Sequence, residues 1–362
     1  MVFGGGPPRS VNSLVGAAKT VLGARVGRSE AEALRKDLSV LGLVDKTHAI
    51  VDEDGGVVIP VVAGPPEDLL RSHSAVLVER SFPTRKSRKD PIDEILEVVS
   101  VPEALKSALP RKWELLGDVL VLRLDPSLED HEEAIARSYS SVLRAKTVLR
   151  DVGGVKGEYR KPVLRKIIGS DTVTVHVENG VKFRFDVSEI MFSSGNVEER
   201  TRMAGIKCDG ETVVDMFAGI GYFSLPLAVY QNPKKVIACE LNPVAHSFLV
   251  ENVRLNGVYG TVAPILGDNR DLQGADFADR VIMGYVKTTH EFLPTALSLL
   301  RSGGVVHYHE TCPDELLPHR PVQRILESAG GCRVEVERLK KIKSYAPGIS
   351  HVVVDARIFK PA

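Results

Sequence analysis

The stretch "TVVDMFAGIGYFSL", Thr212–Leu225, decides the fold. A short apolar run reads as a buried strand, and Gly219 and Gly221 then permit a tight turn and a close approach of backbone to a ligand before a helical pattern begins. Asp215 precedes the turn, placing a carboxylate near the same crevice. Gly-x-Gly alone is weak evidence. A dinucleotide site adds a third small residue and an acid on the next strand, which Ser224 and Glu240 supply in part. Asp215 argues the other way, because a carboxylate before the turn suits a cationic amino-acid moiety better than a pyrophosphate.

Strands and helices alternate downstream of this stretch. "KVIACE" precedes "NPVAHSFLVENVRLNGV", then come "VAPILGD", "DRVIMGYV", "HEFLPTALSLLR", "GVVHYHE", "CRVEVERLKKI" and "SHVVVDARIF". This order predicts βαβ units and a mostly parallel Rossmann-like α/β sheet over residues 188–362, with ligands bound beyond the carboxyl ends of the strands. Only "KSYAPGI" separates the last two strands, so they are expected to pair as an antiparallel edge hairpin. Glu240 ends the second strand, where a carboxylate accepts both ribose hydroxyls of an adenosine. Asn242-Pro243 after it reads as a helix cap with proline at the first helical position. Asp268 and Asn269 end the third strand and suit the amino edge of an adenine, although such a pair is more often a turn. Three polar strand ends in order point to a nucleoside site.

Three further regions precede this one. Beyond a polar leader, Ser29 and Glu32 have capping-box spacing, Leu34, Leu38 and Leu41 share a helical face, and Gly42 stands where the helix stops. "THAIV" and "GGVVIPVV" read as a hairpin, completing a small module over 1–62. Residues 63–90 read as a linker with one short strand. An α+β domain over 91–187 follows: "WELLGDVLVLRLD" as a strand, "SLEDHEEAIARSYSSVLRA" as a helix capped by Ser127, and two strands joined at Asn179-Gly180.

The chain of 362 residues is 43% hydrophobic and 26% charged, an ordinary globular composition of two or three domains. It holds no apolar run of membrane-spanning length and no secretory core at its start, so a soluble, cytoplasmic protein is expected. Cys208, Cys239, Cys312 and Cys332 have no zinc or disulfide spacing. The 47 basic and 47 acidic residues cancel, yet Arg144–Lys166 is strongly basic and "RKSRK", Arg85–Lys89, forms a second cluster. Each is a candidate phosphate-binding surface or a plain solvated face.

The series "VVDMFAGIGYFSLPLA … ACELNP … GDN" resembles the S-adenosylmethionine (AdoMet) pocket of class I methyltransferase-fold enzymes. "MFSSGNVEERTRMA" before it is similar to the element that introduces the catalytic domain of enzymes modifying position 37 of tRNA, the guanosine-37 N1-methyltransferases and their wybutosine-pathway relatives. Gly195-Asn196 resembles the aminocarboxypropyltransferases of wybutosine synthesis, where the methyltransferases have Pro-Arg. "GDVLVLRLDP", "GGVKGEYRKP" and "ENGVKFRFDV" resemble the middle domain of these enzymes, and "ALRKDLSVLGLVDK" with "GGVVIPV" their small N-terminal domain. The resemblance implies cofactor contacts from Ser193, Arg200, Glu240, Asp268 and Asn269, with Arg200 and Ser193 on the methionine carboxylate. It implies tRNA(Phe), at the anticodon loop around position 37, as partner, and no obligate protein partner is evident.

"VIMGYV" ends the fourth strand, where the related methyltransferases carry Asn-Leu-Pro to hold guanine. Met283-Gly284-Tyr285-Val286 lacks that amide and proline, which argues for transfer of the 3-amino-3-carboxypropyl group to C7 of 4-demethylwyosine. Tyr285 then either stacks on a tricyclic base or belongs to the core. Glu199 is a weak candidate base, at the position of a base proposed in the methyltransferase relatives. Lys343 and Tyr345, in the expected loop between the last strands, are candidate anticodon-loop contacts. His307, His309 and Glu310 form a remote candidate metal group, and no metal is expected. A guanosine-37 N1-methyltransferase is the alternative, a cofactor-fold RNA-binding protein without catalysis lies in another class, and a dehydrogenase is more distant.

Overall fold

The computed structural model describes residues 20–53, 55–84, 89–157 and 159–361. Its contacts divide the chain into two units, Met1–Asp90 and Pro91–Ala362. The "RKSRK" cluster, apart from Lys89, and most of the leader lie outside the described residues.

The first unit contains β1 (Thr20–Gly27), α1 (Ala31–Val40), β2 (Val51–Glu53), β3 (Gly56–Pro60), α2 (Glu67–Ser72) and β4 (Val76–Ser81). The strands form an antiparallel sheet in the order β2-β3-β1-β4. Leu34 and Leu38 are buried against it as their spacing predicts, whereas Leu41 lies past the helix end and is exposed. The capping box does not form: Glu30 is the N-cap without a side-chain bond, and Glu32 turns to Arg35 instead. Residues 63–90 hold α2 and β4, and β4 completes the sheet by pairing with β1, a strand drawn from the expected leader. That pairing is non-local, so short-range pattern does not reveal it.

The second unit begins with α3 (Pro91–Val98), β5 (Glu114–Leu116), β6 (Val119–Leu122), α4 (Glu132–Leu143), β7 (Thr147–Lys156) and β8 (Lys161–Ile168), with sheet order β5-β6-β7-β8. "WELLGDVLVLRLD" is two strands folded at Gly117, whose φ of +58° favours glycine. The expected Ser127 cap is an Asp125 cap, because the Asp125 carboxylate accepts the Ser127 N–H at 2.9 Å and opens a 3-10 turn ahead of α4. Much of the basic stretch is neutralised locally: Lys146 pairs with Asp118, Arg150 with Glu129 and Glu132, and Arg165 with Glu132.

Strands β9 (Val173–Glu178) and β10 (Val181–Asp186) meet at Asn179-Gly180, both at positive φ as a two-residue hairpin demands. Phe183 and Phe185 pack with Val213, Leu225 and Leu249 of the following sheet and its helices, so this hairpin joins the core on the far side of the expected boundary at 187. Asn252 fixes it there. Its amide accepts the Arg184 N–H at 2.6 Å and donates to the carbonyls of Arg184 and Ile220 at 3.0 and 3.1 Å.

The remainder runs α5 (Val197–Ala204), β11 (Thr212–Asp215), α6 (Ser224–Gln231), β12 (Lys235–Glu240), α7 (Pro243–Leu255), β13 (Val262–Leu266), β14 (Ala278–Met283), α8 (Leu293–Leu299), β15 (Leu300–Pro313), α9 (His319–Ser328), β16 (Arg333–Ala346) and β17 (Ile349–Phe359). The sheet order is β13-β12-β11-β14-β15-β17-β16, parallel as far as β15, with β17 inserted antiparallel. The chain reverses its direction of travel between β11 and β14, the switch point where a crevice opens at the strand ends. The loop expected between the last strands shrinks to Pro347-Gly348, so Lys343, Ser344 and Tyr345 are strand residues beside register shifts that re-aim side chains. Cys208, Cys239 and Cys312 are buried free thiols. Among the described residues no helix is long and apolar enough to cross a membrane.

Candidate active site

A cavity of about 300 Å³ opens at the switch point, within the second unit. Its floor is the turn after β11. Gly219, at φ +58°, would place a Cβ 2.5 Å from the Tyr222 ring, so no other residue fits without displacing it. The Gly219 N–H donates to Glu240 Oε2 at 2.7 Å, and the Asn242 N–H donates to Oε1 at 2.8 Å. These bonds aim the Glu240 carboxylate into the cavity with lone pairs to spare, while burial pushes its carboxyl above the usual range. Asn242 caps α7 through the Val244 N–H, with Pro243 at the first helical position, as expected.

Asp215 is a correction. It does not line the cavity: its carboxylate is fully buried, accepts the Ser224 hydroxyl at 2.6 Å and the Phe217 N–H at 3.2 Å, and braces the glycine turn from beneath. Burial pushes it up to about 6.

At the third strand end, Asn269 donates to the Met216 carbonyl at 2.8 Å, and its buried Oδ1, on the cavity wall, has no hydrogen-bond partner among the described residues. An orphaned acceptor there matches the amino group of an adenine. Asp268 also lines the cavity but is turned to Arg270, both as the cap of a 3-10 turn and as an ion pair.

Arg200 lines the cavity but is committed elsewhere. Glu178 grips it bidentately at 2.6 and 2.7 Å, it donates to the Ser193 carbonyl at 2.9 Å, and its guanidinium lies 4.6 Å from the Phe192 ring centre. The expected pairing with a methionine carboxylate thus competes with a buried carboxylate already in place. Lys343, expected on the anticodon loop, instead sits in this cavity with its ammonium 3.0 Å from Ser193 Oγ. Burial, helped by Arg160 and Arg200, holds its pKa below the usual lysine range. A Cβ at residue 195 would lie 3.2 Å from Lys343 Nζ, so Gly195 leaves room for the ammonium. Arg160, which sequence reasoning missed, also lines the cavity, and its buried Nε makes no hydrogen bond among the described residues.

The opposite wall is aromatic. Tyr285 stacks on Phe217 at 5.4 Å, Phe292 meets Phe217 edge-on at 5.0 Å, and Tyr159 and Tyr345 complete the rim. Tyr285 is therefore both packed and cavity-lining. Gly284 is required by close approach, since a Cβ there would sit 2.7 Å from the Phe223 ring.

Glu199 is buried, not solvated, and pairs with Arg202 outside the cavity lining. The His307–His309–Glu310 metal reading fails geometrically. His307 bonds Asp355 at 2.6 Å, Glu310 is held by Arg320 and Arg324, and no group of three metal-binding side chains occurs among the described residues. His351, also missed, lines the cavity and bonds His309 at 3.0 Å. A lone histidine inside the apolar run of β17 was the available signal.

Comparisons with known proteins identify the family. Residues 174–337 match the TRM5/TYW2 methyltransferase domain, and residues 92–172 match the TYW2 N-terminal domain. A Pyrococcus horikoshii protein named tRNA(Phe) (4-demethylwyosine(37)-C(7)) aminocarboxypropyltransferase is 50% identical over 270 residues, 74% of this chain and 96% of that protein. The crystal structure of P. horikoshii TYW2 in complex with MeSAdo aligns with a TM-score of 0.68 and 48% identity, covering 75% of this chain and 100% of that one. The tRNA (guanine(37)-N(1))-methyltransferase Trm5b of Pyrococcus abyssi is 34% identical across 93% of this chain and 99% of its own length. The hairpin that packs into the catalytic core thus falls inside the matched methyltransferase domain, and the chain belongs to the TRM5/TYW2 family of tRNA-modifying enzymes.

Proposed function

We propose that the protein transfers the 3-amino-3-carboxypropyl group of AdoMet to C7 of 4-demethylwyosine at position 37 of tRNA(Phe), acting in the cytoplasm on the anticodon loop. The observation that carries this reading is the wall formed at the end of β14. It offers Tyr285 stacked on Phe217 where a guanine-gripping amide and proline would stand, and an aromatic face suits a tricyclic base. The higher identity to the named aminocarboxypropyltransferase, 50% against 34% for Trm5b, supports it over guanosine-37 N1-methylation.

The residues present fit AdoMet. Glu240 would hold the ribose hydroxyls, Asn269 Oδ1 the adenine amino group, and Lys343 with Ser193 and Arg160 the methionine carboxylate. When bound, AdoMet supplies a sulfonium with three electrophilic carbons, and orientation decides which one is transferred. The chain's part is to place the carboxylate. Gly195 and the register shifts of β16 bring Lys343 to Ser193, setting a cation on the side of the cavity where the amino-acid arm is to be held. The aromatic wall positions the acceptor and excludes water. The test is acceptor choice: tRNA carrying 4-demethylwyosine at position 37 gains the mass of an aminocarboxypropyl group, and tRNA carrying guanosine gains none. Methylation of the guanosine tRNA overturns the proposal.

A further inference from the structure

Two histidines that no binding role uses connect the cavity to a buried acid. His351 Nε2 lies 3.0 Å from His309 Nδ1, and His309 Nε2 lies 3.5 Å from Glu199 Oε1. All three residues are at most 2% exposed, yet His351 lines the cavity. With Nε2 turned to His309, Nδ1 is the His351 ring nitrogen not engaged in that contact. Among the described residues His309 Nε2 makes no hydrogen bond of good geometry, an unfavourable state for a buried polar atom. The Phe223 ring stacks over His309 at 5.3 Å, closing that side to water.

We propose that His351 takes the proton released from C7 of the acceptor ring and that His309 passes a proton on to Glu199. This rests on the C7-transferase reading. Carbon–carbon bond formation at C7, with the donor's carbon–sulfur electrons leaving on sulfur, yields a ring cation that still carries the C7 hydrogen. Its C7–H bond breaks, the electron pair returns to the ring, and the proton goes to His351 Nδ1. His351 gives its Nε2 proton to His309 Nδ1, and His309 gives its Nε2 proton to Glu199. Both imidazoles end neutral with tautomers exchanged, Glu199 ends as the acid, and charge balances. His351 is the catalytic residue, while His309 and Glu199 act through it.

The surroundings favour this path. Burial pushes both imidazoles down to about 3, which keeps them neutral and able to relay. The other charges around them are Lys343 and Arg160 beside His351, and Arg202, Asp355 and His307 beside His309. Arg202 bonds Asp355 at 2.8 Å as well as Glu199, so protonating Glu199 leaves no stranded cation.

The test combines four readouts. In ¹⁵N spectra of the free wild-type protein at neutral pH, both rings appear neutral with the proton on Nε2; a proton on His351 Nδ1 overturns the relay. H351Q keeps methylthioadenosine affinity within about twofold by calorimetry and lowers the single-turnover rate by about 10²–10⁴-fold. C7-deuterated tRNA shows a larger isotope effect in H351Q than in the wild type, and added imidazole restores H351A. An H351Q protein with unchanged rate, or an unchanged isotope effect together with no imidazole rescue, overturns the proposal. Should the wild type form no C7 product, the functional reading falls and the tautomer spectra alone decide the relay.

Discussion

Lys343→Met tests which of the three cations bordering the amino-acid end of the cavity, Lys343, Arg160 and Arg200, holds the carboxylate. The substitution keeps an unbranched stem and removes the ammonium now 3.0 Å from Ser193 Oγ. A charge-assisted hydrogen bond contributes about 1.5–3 kcal/mol, and the half-buried setting of Lys343 puts the expected loss near about 1.5–2 kcal/mol. That corresponds to roughly 10–30-fold weaker AdoMet binding. Methylthioadenosine lacks the carboxylate, so its affinity should stay within about twofold. Calorimetric titration of both ligands against wild type and variant reads the difference directly. Burial, Arg160 and Arg200 lower the Lys343 pKa against the opposing pull of Glu114, so its charge is lost at a pH below the ordinary lysine range. The wild-type preference for AdoMet accordingly falls on the alkaline side, and the part due to Lys343 vanishes in the variant. Equal losses for both ligands, or none, would refute the assignment and leave the carboxylate to Arg160 or Arg200.

Two stability predictions follow from groups beneath the site. Asp215 is pushed up to about 6 from an ordinary 3.8, so its contribution is full below pH 4 and is lost as pH rises through about 6; Asp215→Asn removes this loss, and its stability relative to wild type should rise by roughly 3 kcal/mol between pH 4 and pH 7 in denaturant titrations. A pH-independent difference would contradict the burial argument. Asn252→Leu leaves the N–H and C=O of Arg184 and the C=O of Ile220 without their partner, at a cost of about 3 kcal/mol or more, seen as a melting temperature lower by about 6 °C; an unchanged midpoint would show that the hairpin is held by its phenylalanines alone.

The order of strands and helices around Thr212–Leu225, the strand-end residues Glu240 and Asn269, and the hairpin at Asn179-Gly180 were legible because each is a local signal: a period, a glycine turn, a cap. What escaped depends on contacts between distant segments. β1 and β4 find each other across the first unit, Asp215 turns inward because Ser224 and Phe217 satisfy it, and Arg200 is occupied by Glu178 of a hairpin some 20 residues earlier. Lys343 reached the cavity because β16 continues through two register shifts that sequence period does not encode. His351 was hidden because one histidine in a valine-rich strand says nothing of the second histidine and the acid that topology lines up behind it.

The transferred group itself tests the account most directly. Wild-type protein is incubated with tRNA(Phe) carrying 4-demethylwyosine at position 37, in parallel reactions with AdoMet labelled in the methionine carboxyl carbon or in the methyl carbon. The account predicts that the carboxyl label enters the tRNA while the methyl label stays in methylthioadenosine. Methyl label in the tRNA, with S-adenosylhomocysteine as the by-product, would contradict it.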